Sequence, residues 1–115
     1  MPSKFLAAAA AIVLAGALTS GVVRAQQAVT VTVSISVKNH RFQPAEIHAP
    51  ASVPILLKVK NLDPTPMEFE SVSLRVEKVV TGNSEGTIRL RPLVPGSYNF
   101  YDDFHQETNG VLVVK

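Results

Sequence analysis

The sequence predicts an all-β sandwich of about seven or eight short antiparallel strands around one core. Three observations predict it. Apolar residues alternate with polar ones over Val29 to Val37, Val53 to Lys60 and Thr87 to Arg91, the period-two pattern of half-buried strands. Turn-forming clusters of Asn, Asp, Gly and Pro separate these runs at sandwich spacing. The chain has no cysteine, so a small domain has to hold itself by packing alone, which a tightly paired sandwich does.

In chain order, Met1 to Ala25 reads as a secretory signal. Lys4 gives the positive start, Phe5 to Leu18 the apolar run, and Val23-Arg24-Ala25 a small-residue cleavage site. An apolar run of about 14 residues is short for a membrane span; an uncleaved N-terminal anchor is the alternative. Cleavage leaves one domain at 26–115, exported to the periplasm. The full chain has 11 Lys plus Arg against 9 Asp plus Glu. Without Lys4 and Arg24 the two charges balance, so the basic pI of the whole sequence argues for neither nucleic acid nor an anionic membrane. No basic cluster is interleaved with aromatics.

Val29, Val31, Val33, Ile35 and Val37 form the clearest strand, with Thr and Ser on its outer face. Lys38 to Pro44 reads as a loop. Glu46-Ile47-His48 is a short strand with Ile47 inward and His48 in solvent. Val53 to Lys60 places Ile55, Leu57 and Val59 on one face and Lys58 and Lys60 on the other. Asn61 to Pro66 has two prolines and cannot continue a ladder. In Met67 to Ser71, Met67 shares the side of Phe69, with Glu68 and Glu70 opposite. Val72 to Val80 is irregular, a strand broken by a bend. Thr81 to Ser84 is a turn, and Thr87 to Arg91 a strand with Ile88 and Leu90 inward.

Gly96 to Lys115 organises the rest. Two strands, the second the alternating run Val111 to Val114, flank a short loop, and Tyr98, Phe100 and Asp102 share one face of the first. Since Tyr98 and Phe100 are large and apolar, that face is the buried one. Asp102 then sits at the rim of the core, three positions before His105. A carboxylate there costs free energy unless it is paired, hydrogen-bonded or bound to a cation, and a metal is one answer.

The same residues carry a family resemblance. Gly96, Tyr98 and Phe100, with Asp102 and His105 following, resemble the last strand and ligand loop of cupredoxins, in which Asp102 stands where the copper-binding Cys would be. Asn61-Leu62-Asp63-Pro64-Thr65-Pro66-Met67-Glu68-Phe69 resembles the family's other ligand segment, with Met67 at the place of its first His. The resemblance implies a Greek-key sandwich, with Phe42 plugging one end. It also excludes type 1 blue copper, which needs a Cys thiolate, so a copper(II)-loaded protein is expected to be pale. Met67-Glu68-Phe69-Glu70-Ser71, the following Val76-Glu77-Lys78-Val79 and Tyr101-Asp102-Asp103-Phe104-His105 resemble the periplasmic cupredoxin-like components of bacterial iron-uptake systems. Some of these carry Cys at the places of Phe42 and Asp102. That closer resemblance implies iron handling beside an inner-membrane permease, with Glu68 and Glu70 as an acidic pair and Glu77 as a further acid.

The candidate metal ligands are Met67, Glu68, Asp102 and His105, followed by Glu70, Glu77, Asp103 and His40. Carboxylate with imidazole suits iron, zinc or copper(II), and a thioether favours copper(I); the mixture selects no single metal. Each has a plain alternative. Met67 fills core gaps well, Asp102-Asp103 can cap a turn, Glu68 and Glu70 can guard a solvated sheet edge, and His105 and His40 can be exposed loop residues. There is no nucleophile elbow, no phosphate-cradling glycine loop and no zinc-protease spacing, so hydrolase and transferase chemistry has no support. The leading expectation is a metal-binding protein of iron acquisition, at most an accessory to metal oxidation. A copper chaperone or buffer and a metal-free interaction module are the alternatives. The expected partners are the metal ion, the permease and a second copy of the chain in a homodimer, with no nucleic acid. Removal of Asp102 is expected to leave the fold nearly intact.

Overall fold

The alternating runs fold as strands throughout the described part of the computed structural model, residues 29–115. The expected signal segment at 1–25 lies outside these residues. Nine strands follow one another: β1 (Val31–Lys38), β2 (Arg41–Gln43), β3 (Glu46–Ala49), β4 (Ile55–Asn61), β5 (Met67–Ser71), β6 (Val76–Val80), β7 (Ser84–Leu90), β8 (Gly96–Asp102) and β9 (His105–Val114). They form a four-stranded sheet, β2-β1-β4-β7, and a five-stranded sheet, β3-β9-β8-β5-β6.

The pairing corrects the expectation of a purely antiparallel fold. β1 runs parallel to β4, and β3 parallel to β9. Period-two alternation is the same whichever way a neighbour runs, so the sequence pattern carries no information on direction. The parallel pairs arise because β3 joins the other sheet before the chain returns as β4. Two further expectations change. Residues 38–44 hold a hairpin with its own strand β2, not a loop, and β9 starts at His105 itself, well before Val111.

The inward faces match the alternation. Ile35, Val37, Ile55, Leu57, Val59, Phe69, Ile88, Leu90, Phe100, Leu112 and Val114 are buried in one core. At its site-bearing end Phe69 stacks on Phe100 with ring centroids 4.9 Å apart, and Phe42 meets Phe100 edge-on, also at 4.9 Å. Such offset and edge contacts between aromatic rings add to burial. Phe42 thus closes the core as expected. β9 crosses close over this cluster because Gly110 has no side chain. A Cβ there would come 2.6 Å from the Phe100 ring and 2.7 Å from the Ala45 carbonyl.

Candidate metal centre

Three connections meet at this end of the sandwich: the β1–β2 turn, the β4–β5 loop and the β8–β9 turn. In the first, Lys38 pairs with Arg41, so Asn39 and His40 are the two central residues of a tight hairpin turn. Both have positive φ, 52° and 57°. That is the backbone of a two-residue turn whose twist matches the flanking strands, and Asn and His tolerate it better than most side chains.

Asp63 from the β4–β5 loop holds this turn. Its Oδ1 accepts the Asn39 N–H at 2.6 Å and its Oδ2 the His40 N–H at 2.9 Å. Burial pushes the Asp63 carboxyl up, but the His40 and Asn39 N–H groups and the nearby imidazoles outweigh it and hold it below the ordinary value. Asn61, fully buried, anchors the same loop. It accepts the Asp63 N–H and donates to the carbonyls of Thr65, Val80 and Thr81. Buried Thr108 of β9 donates its hydroxyl to the His40 carbonyl. His40 is therefore pinned by its backbone while its side chain stays 45% exposed.

The pinned turn lays His40 on His105. Their ring centroids are 3.9 Å apart and the planes 28° from parallel. His105 pairs with Asp102 across the start of the β8–β9 hairpin, and its Nδ1 lies 3.1 Å from Asp102 Oδ2. Asp102 Oδ1 accepts the Glu68 N–H at 2.9 Å and the Phe104 N–H at 3.0 Å. Asp102 does not sit at a half-wet rim: its side chain is completely buried. Three hydrogen bonds cover the burial cost that suggested a metal in the sequence, and no buried side-chain polar atom among the described residues lacks a partner.

One ligand atom each from His40, Asp102 and His105 falls within 4.8 Å of the others. Glu68, Glu70 and Asp103 form a second such group on the outer face of β5 and the turn after β8. Burial and then the hydrogen bond and charge of Glu77 push the Glu68 carboxyl up; burial and the charges of Asp103 and Glu77 do the same to Glu70. Burial and the Glu70 carboxylate raise the neighbouring Tyr101. Crowded carboxylates of this kind favour a proton or a cation between them. Met67 is 2% exposed and packs in the core. Type 1 blue copper does not fit, because the chain has no thiolate and Asp102 fills that position with structural bonds.

Sequence reasoning put His40 in the second tier and missed Asp63, Asn61 and Thr108. Asn39-His40 as a positive-φ turn pair was the available sign, since Asn is favoured in such turns.

The model of the cupredoxin-like domain matches residues 6–114. An uncharacterised protein of Rickettsia prowazekii (strain Madrid E) is 42% identical over 83 residues, 71% of this chain and 66% of that protein. The chain thus aligns with just under two thirds of that relative's length. Among solved structures, the metal-binding domain of the Cu(I)-exporting ATPase CopA of Streptococcus pneumoniae D39 superposes with a TM-score of 0.65 at 16% identity, covering 77% of this chain and 98% of that one. The purple cupredoxin of Nitrosopumilus maritimus gives 0.55 at 18%, covering 74% and 99%. Auracyanin A, the blue copper protein of Chloroflexus aurantiacus, gives 0.64 at 13%, covering 76% and 100%. At these identities the likeness is one of fold. The chain belongs to the cupredoxin-like domain family.

Proposed function

We propose that this cupredoxin-like protein binds a transition metal at its His40–His105 end and works outside the cytoplasm in iron acquisition, binding ferrous iron or helping to oxidise it for delivery to a membrane permease. The observation that carries the metal-binding reading is the convergence of two imidazoles from separate hairpins, ring centroids 3.9 Å apart, on a scaffold that fixes both. Imidazole suits iron, copper and zinc. The choice of iron is supported by the oxygen-rich group Glu68, Glu70 and Asp103 on the neighbouring strand face, since hard carboxylate ligands favour hard ions, and by the resemblance of those segments to iron-uptake components. Met67, buried in the core, is assigned to packing.

Copper is the second reading. It is favoured by the His40–His105 pair itself, because imidazole ligands bind copper(II) more tightly than other divalent first-row ions. Calorimetric titration of the apo protein separates the two. Anaerobic iron(II) binding that drops both in His40→Ala and in Glu68→Gln/Glu70→Gln supports iron at this end; copper(II) binding with no measurable iron(II) binding supports the copper reading. A protein purified from the periplasm without metal, and titrating with neither ion, contradicts both. A permease gene beside this one supports the transport role.

A further inference from the structure

We infer that Asp102 is a positioning residue and not a ligand: it fixes the His105 ring with its proton on Nδ1, so that Nε2 is the atom offered to a metal. The inference rests on the proposed metal-binding reading but reassigns the residue at the family's thiolate position. Both oxygens of Asp102 are engaged. Oδ1 takes two backbone N–H groups, from Glu68 and Phe104, and Oδ2 faces His105 Nδ1 at 3.1 Å. Its side chain is 0% exposed, against 29% for that of His105. To ligate through Oδ1 the carboxylate would have to release the bond that ties β5 to the β8–β9 hairpin, and to ligate through Oδ2 it would have to give up the contact that holds the His105 ring.

An ionised carboxylate only accepts hydrogen bonds, so Nδ1 is the donor. The lone pair of the neutral ring then lies on Nε2. Among the described residues Nε2 has no hydrogen-bond partner, and the His105 side chain is part-exposed. A carboxylate behind a histidine fixes tautomer and orientation and raises the basicity of the far nitrogen. His40 is the imidazole stacked on the same ring.

The test is the tautomer of His105 in metal-free protein, read from imidazole nitrogen and carbon NMR shifts at pH 8, together with copper(II) affinity by calorimetry. Wild type is expected to show the Nδ1–H form. In Asp102→Asn the amide oxygen can still take the two N–H groups while its NH2 faces Nδ1. The ring must then accept there and carry its proton on Nε2. Asp102→Asn is therefore expected to switch the tautomer and to weaken copper(II) binding roughly 10–100-fold, the usual loss for such a partner. An Nε2–H form in wild type overturns the inference whether or not the variant folds. So does a folded Asp102→Asn that binds copper(II) like wild type. A wild type with the Nδ1–H form that binds neither copper(II) nor iron(II) brings down the proposed function while leaving the positioning of the ring by Asp102 standing.

Discussion

Replacing Asp63 with alanine removes the acceptor of two backbone N–H groups at once. The bonds from Asn39 and His40 measure 2.6 and 2.9 Å and end on a carboxylate. Hydrogen bonds to charged groups contribute roughly 1.5–3 kcal/mol each. Two of them set a ceiling of about 6 kcal/mol, and water entering the exposed turn returns part of it, so the expected loss is about 2–4 kcal/mol. For a domain of this size that lowers Tm by roughly 10–25 °C. Asp63→Asn keeps one acceptor oxygen and should lose about half as much free energy. The pH dependence has a definite sign. The folded-state value of Asp63 is lowered from 3.8, because the N–H groups outweigh burial. Its contribution is therefore fully present above the unfolded value and fades as pH falls through the folded one. Urea unfolding of the apo proteins from pH 7 down to pH 3 should show the wild type and Asp63→Asn curves converging only below about 3.8. The ring-current shifts that stacking imposes on His105 should weaken in both variants. An Asp63→Ala protein within about 0.5 kcal/mol of wild type at pH 7, the range of an ordinary surface change, would refute the reasoning.

Gly110→Ala drives a methyl into the Phe100 ring and the Ala45 carbonyl; overpacking of this kind should cost about 1–3 kcal/mol in chemical denaturation. Met67→Leu conserves volume in the core, so stability should change by less than about 1.5 kcal/mol and metal affinity not at all; a lost preference for copper(I) would make Met67 a ligand. Glu77→Gln should bring the Glu68 carboxyl down towards its ordinary value in an NMR titration, although burial keeps part of the rise. Because a raised carboxylate costs stability above its folded value and recovers it on protonation, Glu77→Gln should raise Tm at pH 7 and lose that advantage as the solution is acidified through the raised Glu68 value.

The core was legible because alternation and the positions of Phe69, Phe100, Ile55, Leu57 and Val59 leave one buried face per strand. The parallel pairings were not, since period two is blind to direction. The site end was half legible. Asp102 and His105 were placed together by their spacing on a face defined by Tyr98 and Phe100. The sequence could not show that Glu68 and Phe104 bring their N–H groups to Asp102, because both bonds depend on how β5 docks against β8. That changes one expectation. Removing Asp102 now leaves two N–H groups and His105 without an acceptor, so Asp102→Ala should destabilise the fold rather than spare it. His40 was undervalued for a similar reason: a positive-φ turn aims its ring, and that turn exists because Asp63, 23 residues away in sequence, accepts its N–H groups.

The proposed metal site is the His40–His105 pair. Copper(II) and anaerobic iron(II) titrations of wild type, His40→Ala, His105→Ala and the double variant test it most directly, with Glu107→Ala as a control on the exposed part of β9. Each single variant should lose about tenfold or more in affinity, the double should lose little beyond the worse single, as residues acting as a unit do, and the control should bind like wild type. Wild-type affinity in both His40→Ala and His105→Ala, with the fold intact, would contradict it and move the site to the acidic face of Glu68, Glu70 and Asp103.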